Sequence, residues 1–206
     1  MDADDWDARY ADAELVWSAA PNTFVESELR EHPAGRALDL AAGEGRNALW
    51  LASLGWQVTA VDFSQVALDK AHAVESAVVT DHPVTWVCAD VLSWPGLEES
   101  SWDLVVVAYL QLPEDQRREV VRRAFRALAP GGELLWVAHD ATNLVEGTGG
   151  PPDPAVLMTA DDVLADLGED DFEVIRAERV ARTVDQGHRG EPGRTAYDCL
   201  VRLRRR

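Results

Sequence analysis

Three acidic residues stand at or just past the ends of apolar, β-branched runs: Asp39 in RALDL (36–40), Asp62 closing QVTAVD (57–62) and Asp90 closing VTWVCAD (84–90). Between the first two lies LDLAAGEGRNA (38–48), where Ala41, Gly43 and Gly45 carry little or no side chain. A strand that turns through such residues into a helix offers free N–H groups and lets a ligand approach the main chain. Taken alone, GEGRNA fits the dinucleotide pattern GxGxxA, which is a weak signal. The acids change the reading. Asp39 sits where a pyrophosphate would lie in a dinucleotide enzyme, and a carboxylate there repels phosphate and suits a cation. Asp62 is placed to accept both hydroxyls of a ribose. Asp90, followed by Val91, is placed to accept from an adenine amino group. The set describes an adenine nucleoside whose far end is positively charged, and the ammonium and sulfonium of S-adenosylmethionine meet that description.

A second group of residues has the types needed for an acceptor molecule. His139-Asp140 follows an apolar run at the substrate edge of the expected sheet. One reading is that the pair orients an acceptor or removes its proton; the other is a half-buried strand histidine beside a loop-capping acid. His188 and Arg189, with Arg194 beyond them, form a positive cluster, and a solvated turn is the alternative there. Arg46 opens the first helix of the turn, next to the donor. Trp6, Tyr10 and Trp17 in the N-terminal segment either fold over the donor or staple the core.

The elements that must position these groups alternate. Strand signals at 36–40, 57–62, 84–90, 102–109 and 133–139 are separated by helical or capped segments. Arg46 to Leu54 is a helix ended by Gly55, and Ser64 caps the next helix, which runs to about Ala77. Pro113 opens a helix whose Val120, Val121, Ala124 and Leu128 share one face, with Glu114 and Asp115 in its first turn as the helix dipole prefers. Pro130-Gly131-Gly132 stops it. Residues 142–154 are glycine- and proline-rich and read as a loop, and Thr159 to Leu167 as a short helix. Two final runs, 172–184 and 195–203, have no helix between them and predict an antiparallel hairpin at one edge. The expected fold is α/β, a doubly wound, mostly parallel seven-stranded sheet with that C-terminal hairpin. One domain over 1–206 is expected, with 1–34 as a helical cap segment and 35–206 as the Rossmann-like core.

Bulk composition narrows the function. The 206 residues are 47% hydrophobic and 27% charged, with a formal net charge of −18. That charge argues against nucleic acid as a partner, because a phosphate backbone needs a basic track. The basic C-terminal cluster, Arg202 and Arg204 to Arg206, reads as solvated. No stretch has the roughly 20 apolar residues of a membrane span, and the acidic N-terminus lacks a secretion-signal layout, so a cytoplasmic protein is expected. Cys88 and Cys199 form no CxxC pair and read as buried hydrophobes. The five histidines show no HxxxH or HExxH spacing, so no metal site is expected.

From Arg36 onward the sequence resembles the class I S-adenosylmethionine-dependent methyltransferases. Asp39-Leu40-Ala41-Ala42-Gly43-Glu44-Gly45 is similar to their first motif, with Ala41 in place of its first glycine. The resemblance implies that Asp62 binds the ribose, that Phe63 and Ser64 lie beside the adenine, that Asp90 and Val91 meet its edge, and that Tyr109 borders the methyl donor. The segment GEGRNALWLASLGWQVTAVDFS, above all Gly45-Arg46-Asn47, is most similar to the tellurite-resistance and thiopurine-type small-molecule enzymes. Among these, a His-Arg pair with a following arginine surrounds an oxyanion, which implies that role for His188, Arg189 and Arg194. The expectation is methyl transfer from S-adenosyl-L-methionine to a small-molecule acceptor such as a thiol, thiopurine or chalcogen oxyanion. The alternatives are a non-catalytic donor-binding sensor or scaffold and, behind it, a nicotinamide-dependent reductase.

Overall fold

The computed structural model describes residues 3–12, 15, 19–76, 82–98, 100–184 and 193–206. Strand β1 (Arg36–Leu40) is buried from Ala37 onward on both faces, so it takes the centre of a sheet. Helix α3 (Arg46–Ser53) leads from it to β2 (Gln57–Asp62), and α4 (Gln65–Glu75) leads on to β3 (Thr85–Cys88). These strands pair in parallel on one side of β1, while β4 (Trp102–Ala108) and β5 (Leu128–His139) pair in parallel on the other. Helix α5 (Glu114–Ala127) joins β4 to β5, and α6 (Ala160–Leu167) precedes β6 (Phe172–Thr183) and β7 (Thr195–Arg205).

The strand order is β3-β2-β1-β4-β5-β7-β6. Strand β7 runs antiparallel between β5 and β6, so the closing hairpin forms at one edge and the seven-stranded sheet is mixed rather than mostly parallel. The chain's direction of winding reverses between β1 and β4, and ligands of such sheets bind at the carboxyl ends beside that reversal.

Helices cover both faces. Val120, Val121, Ala124 and Phe125 of α5, with Val163 and Leu167 of α6, bury one face. Helix α2 (Thr23–Leu29) supplies Val25 and Leu29, and α3 supplies Ala48, Leu51 and Ala52, to the other, where Trp56 is fully buried. The shorter α1 (Ala3–Ala11) lies against α4.

Local signals explain the boundaries. Ser64 accepts from Ala67 N at 3.1 Å and caps α4. Thr159 and Asp162 form a reciprocal capping box on α6. Gly55 has φ 89, the left-handed conformation with which helices commonly end. No helix of the described residues is long and apolar enough to cross a membrane.

Two sequence expectations are corrected. Cys88 is exposed, because β3 is an edge strand; only Cys199 is buried. The C-terminal arginines are not simply solvated. Arg202 and Arg204 reach Glu133 at 2.7 and 2.8 Å, and Arg205 donates to the Ser100 hydroxyl at 2.7 Å and to the Arg126 carbonyl at 2.8 Å. Strand β7 continues to Arg205 because these side chains tie it to neighbouring elements at that end of the sheet.

Candidate active site

A cleft of about 690 Å³ opens at the carboxyl ends of the strands, at the β1/β4 reversal. Its first half is made by backbone. Ala41, Gly43 and Gly45 have φ of 57, 55 and 77, all left-handed, so the chain turns sharply between β1 and α3. A Cβ on Gly45 would come within 2.5 Å of the Trp86 ring, so a side chain there would have to displace that ring as well as hold a left-handed backbone. Ala41 holds the same backbone class with a methyl group attached, at a cost of about 1 kcal/mol.

Asp62 bridges this turn to β2. One carboxylate oxygen accepts from Gly43 N at 2.8 Å and the other from Ser64 N at 2.9 Å. Burial raises its pKa, and those N–H groups oppose the rise. Each oxygen keeps a second lone pair, so the carboxylate is oriented and still able to accept from two ribose hydroxyls.

The predicted donor residues are not all at the surface of the cleft. Ala41, Gly43, Arg46, Asp62, Phe63, Asp90, Val91 and Tyr109 line it. Asp39, Gly45 and Ser64 do not. Ser64 is fully buried and works as the α4 cap, its hydroxyl also donating to Asp7 of α1. Gly45 acts through the turn it permits. Asp39 is 1% exposed, and neither of its carboxylate oxygens makes a well-formed hydrogen bond among the described residues. Burial, with Asp62 nearby, pushes its pKa up to about 7, against the pull of Arg46 and the Ala48 amide. A buried carboxylate at this position is complementary to a positive charge.

The second half of the cleft is built from side chains far apart in sequence. Tyr109 also has left-handed backbone, φ 62; with Ala41 it is one of two non-glycine residues of this kind among the described residues, and both line the cleft. Such strain gathers at functional sites. The Tyr109 hydroxyl donates to Asp198 at 3.0 Å, and Arg182 Nε donates to the same carboxylate oxygen at 2.6 Å. His139 packs on Tyr109 with ring centroids 4.6 Å apart. Asn22 caps α2 through Phe24 N and Val25 N, and its amide nitrogen lies 3.4 Å from the Tyr109 hydroxyl. The Asn22 backbone N–H in turn donates to Asn47 of α3 at 2.9 Å. Burial lowers the pKa of Arg46, and Tyr109 and Asp39 oppose that shift.

Asp198, Arg182 and Asn22 were not singled out from sequence. A lone acid inside the apolar strand TAYDCLV was the available signal for Asp198. Asp140 takes the capping role, accepting from Thr142 N at 2.9 Å. Trp6 and Tyr10 line the cleft, and Tyr10 is at the same time buried. His188, Arg189 and Trp17 lie outside the described residues. Arg194 is described, and its carbonyl accepts from Val184 N at 2.9 Å as the hairpin opens.

A mixed sheet with a left-handed turn after β1, an acid closing β2 and an antiparallel edge hairpin matches the class I methyltransferase fold. Residues 37–132 match the model of a methyltransferase domain. The chain is 31% identical over 128 residues to a putative methyltransferase, YqeM, of Bacillus subtilis, and spans 60% of itself and 49% of that protein. It is 26% identical over 166 residues to thiocyanate methyltransferase 1 of Brassica oleracea, covering 79% of this chain and 72% of that protein. The N-methyltransferase NodS of Bradyrhizobium japonicum, solved with S-adenosyl-L-homocysteine, superimposes with a TM-score of 0.64 at 20% identity, over 88% of this chain and 83% of NodS. Over residues 37–132 the chain is thus similar to a methyltransferase domain, and its fold is that of solved methyltransferases.

Proposed function

We propose that the protein transfers a methyl group from S-adenosylmethionine to a small soft nucleophile, a thiol, thiopurine or chalcogen oxyanion, held against the wall formed by Arg46, Arg182, His139 and Tyr109. One observation carries this reading. The cleft runs without interruption from Asp62 and Asp90 to that wall, where the guanidiniums of Arg46 and Arg182 both line it and Arg182 is held by Asp198 buried behind. In a chain of net charge −18 this is a local site for an electron-rich acceptor.

When bound, the donor supplies a methyl group activated by positive sulfur. Asp62 accepts from its ribose, Asp90, Val91 and Phe63 meet its adenine, and the Ala41–Arg46 turn with Asp39 beneath it receives its charged end. The chain's remaining task is to align the acceptor and keep water out. Two thiocyanate methyltransferases among the relatives, from Brassica oleracea and Arabidopsis thaliana, support a soft acceptor. So does the similarity of Gly45-Arg46-Asn47 to the tellurite-resistance and thiopurine-type enzymes. By that similarity, the role of His188, Arg189 and Arg194 is to hold an oxyanion acceptor. A nicotinamide reductase would need a second nucleotide half where the β6–β7 hairpin closes the sheet.

A donor-dependent screen over thiols, thiocyanate, thiopurines, selenite, tellurite and phenols, following demethylated donor, tests the reading. Methylation of a soft acceptor is expected. Donor binding without product on any of them would leave a sensor or scaffold. With an acceptor in hand, Arg189→Ala should raise its KM or cut turnover while donor affinity stays near the parent value. His139→Ala compared with it reports which wall matters more.

A further inference from the structure

Among the described residues, two buried atoms of the acceptor half have no hydrogen-bond partner: Nδ1 of His139 and Oδ1 of Asp198. They face each other at 3.4 Å. An imidazole nitrogen can be a donor or an acceptor, whereas an ionised carboxylate can only accept. The one assignment that serves both atoms puts the ring proton on Nδ1, pointing at Asp198.

The other oxygen of Asp198 is already engaged, by Arg182 Nε at 2.6 Å and the Tyr109 hydroxyl at 3.0 Å. Two donors thus hold the carboxylate in place. The histidine ring is bracketed as well. Tyr109 packs on it, and a Cβ on Gly150 would fall 2.9 Å from its Cγ, so the loop backbone closes against the ring. The side chain is 15% exposed and lines the cleft. With Nδ1 buried, the edge carrying Nε2 is what reaches the acceptor.

We propose that His139 is a general base oriented by Asp198, and that the site is therefore built for protic acceptors, neutral thiols above all, which must lose a proton as they are methylated. This rests on the acceptor reading above. In the step, the acceptor's S–H bond breaks and its proton passes to Nε2 of His139. The electron pair stays on the acceptor sulfur and forms the new bond to the methyl carbon. The donor's S–CH3 bond breaks, with its electrons kept by the donor sulfur, which becomes neutral. The imidazolium so formed faces the Asp198 carboxylate, and its Nε2 proton then leaves to solvent. His139 is the catalytic residue, Asp198 its positioning residue, and Tyr109 and Arg182 fix Asp198. The logic is that of a carboxylate holding a catalytic histidine in the right tautomer.

Two measurements test it, and the first needs no acceptor. Long-range proton–nitrogen NMR of the protein with labelled histidine reports the neutral tautomer of His139, assigned by the signals missing in His139→Gln. The proton is expected on Nδ1 in the parent, with population moving toward Nε2 in Asp198→Asn. A parent with the proton on Nε2 overturns the proposal, even if Asp198→Asn does not fold. The second measurement compares 2-mercaptoethanol, which carries a proton, with thiocyanate, which has none to lose. In His139→Gln the ratio of kcat/KM for the thiol over thiocyanate should fall by about 100-fold or more. General damage to the cleft lowers both rates and leaves the ratio in place, and an unchanged ratio overturns the proposal. If the parent methylates neither acceptor but the tautomer is as expected, it is the soft-acceptor reading that fails and the histidine–carboxylate pair that stands.

Discussion

The two halves of the cleft are organised by opposite means. The donor half is held by main chain: a left-handed turn, and a carboxylate gripped by two backbone N–H groups within 21 positions of one another, Gly43 and Ser64. The acceptor half is held by side chains brought from α2, the end of β4, the end of β5, β6 and β7. Main-chain geometry tolerates changes of side chain as long as the turn can form, so the donor half suits a ligand common to many enzymes. A side-chain network changes with every substitution, so the acceptor half is where such a fold acquires its individual chemistry.

The largest effect should come from breaking the acceptor network at its buried ion pair. Arg182→Met leaves Asp198 fully buried without its cationic partner, beside only the Tyr109 hydroxyl and the His139 ring among the described residues, and about 3 kcal/mol of stability should be lost in urea unfolding. Donor affinity should suffer less than in the next variant. If stability is unchanged, the network does not hold the acceptor half together.

Next comes the donor half. Asp62→Ala removes the ribose acceptor and should weaken S-adenosylmethionine binding by roughly 1.5–3 kcal/mol in calorimetry. Unchanged affinity would remove the ribose assignment.

Asp39 sharpens the comparison through pH. Its folded pKa lies near 7, against an ordinary value of 3.8. The folded state therefore holds this proton where the unfolded chain has lost it. This contribution to stability is present at low pH and declines as pH rises from about 4 to about 7, then stays flat. A cationic donor favours the ionised form, so donor affinity should rise over that interval and binding should release protons. Asp39→Asn should flatten both dependences, as read from urea unfolding at pH 5 and pH 8 and from calorimetry in two buffers of different ionisation enthalpy. A donor affinity independent of pH in the parent would place the cation elsewhere.

The smallest effect concerns the strained turn. Ala41→Gly removes a methyl group from a backbone at φ 57. It should raise stability by about 0.5–1 kcal/mol, less the extra entropy that glycine gives the unfolded chain. A lower melting temperature would mean that the Ala41 methyl contributes packing the turn needs.

The sequence alone determined the element order, the glycine turn, the helix caps and which residues to propose for the donor half. All of these are written in short spacings: an acid at a strand end, small residues where φ must be positive, Ser64 and Thr159 before their helices, and two strands with no room for a helix between them. The tertiary structure decided how the same groups divide their labour. Asp39 and Ser64 share motifs with Asp62 and Phe63, yet chain folding buries the first pair behind the cleft and leaves the second pair on it. The acceptor half was the least legible. His139 could be named because it ends a strand, but Asp198 and Arg182 looked like strand residues among others. They meet because the β6–β7 hairpin pairs Val180 with Asp198 and β7 pairs Asp198 with His139. That register is set by which strand faces bury their apolar residues across the whole sheet, a property of many distant residues at once.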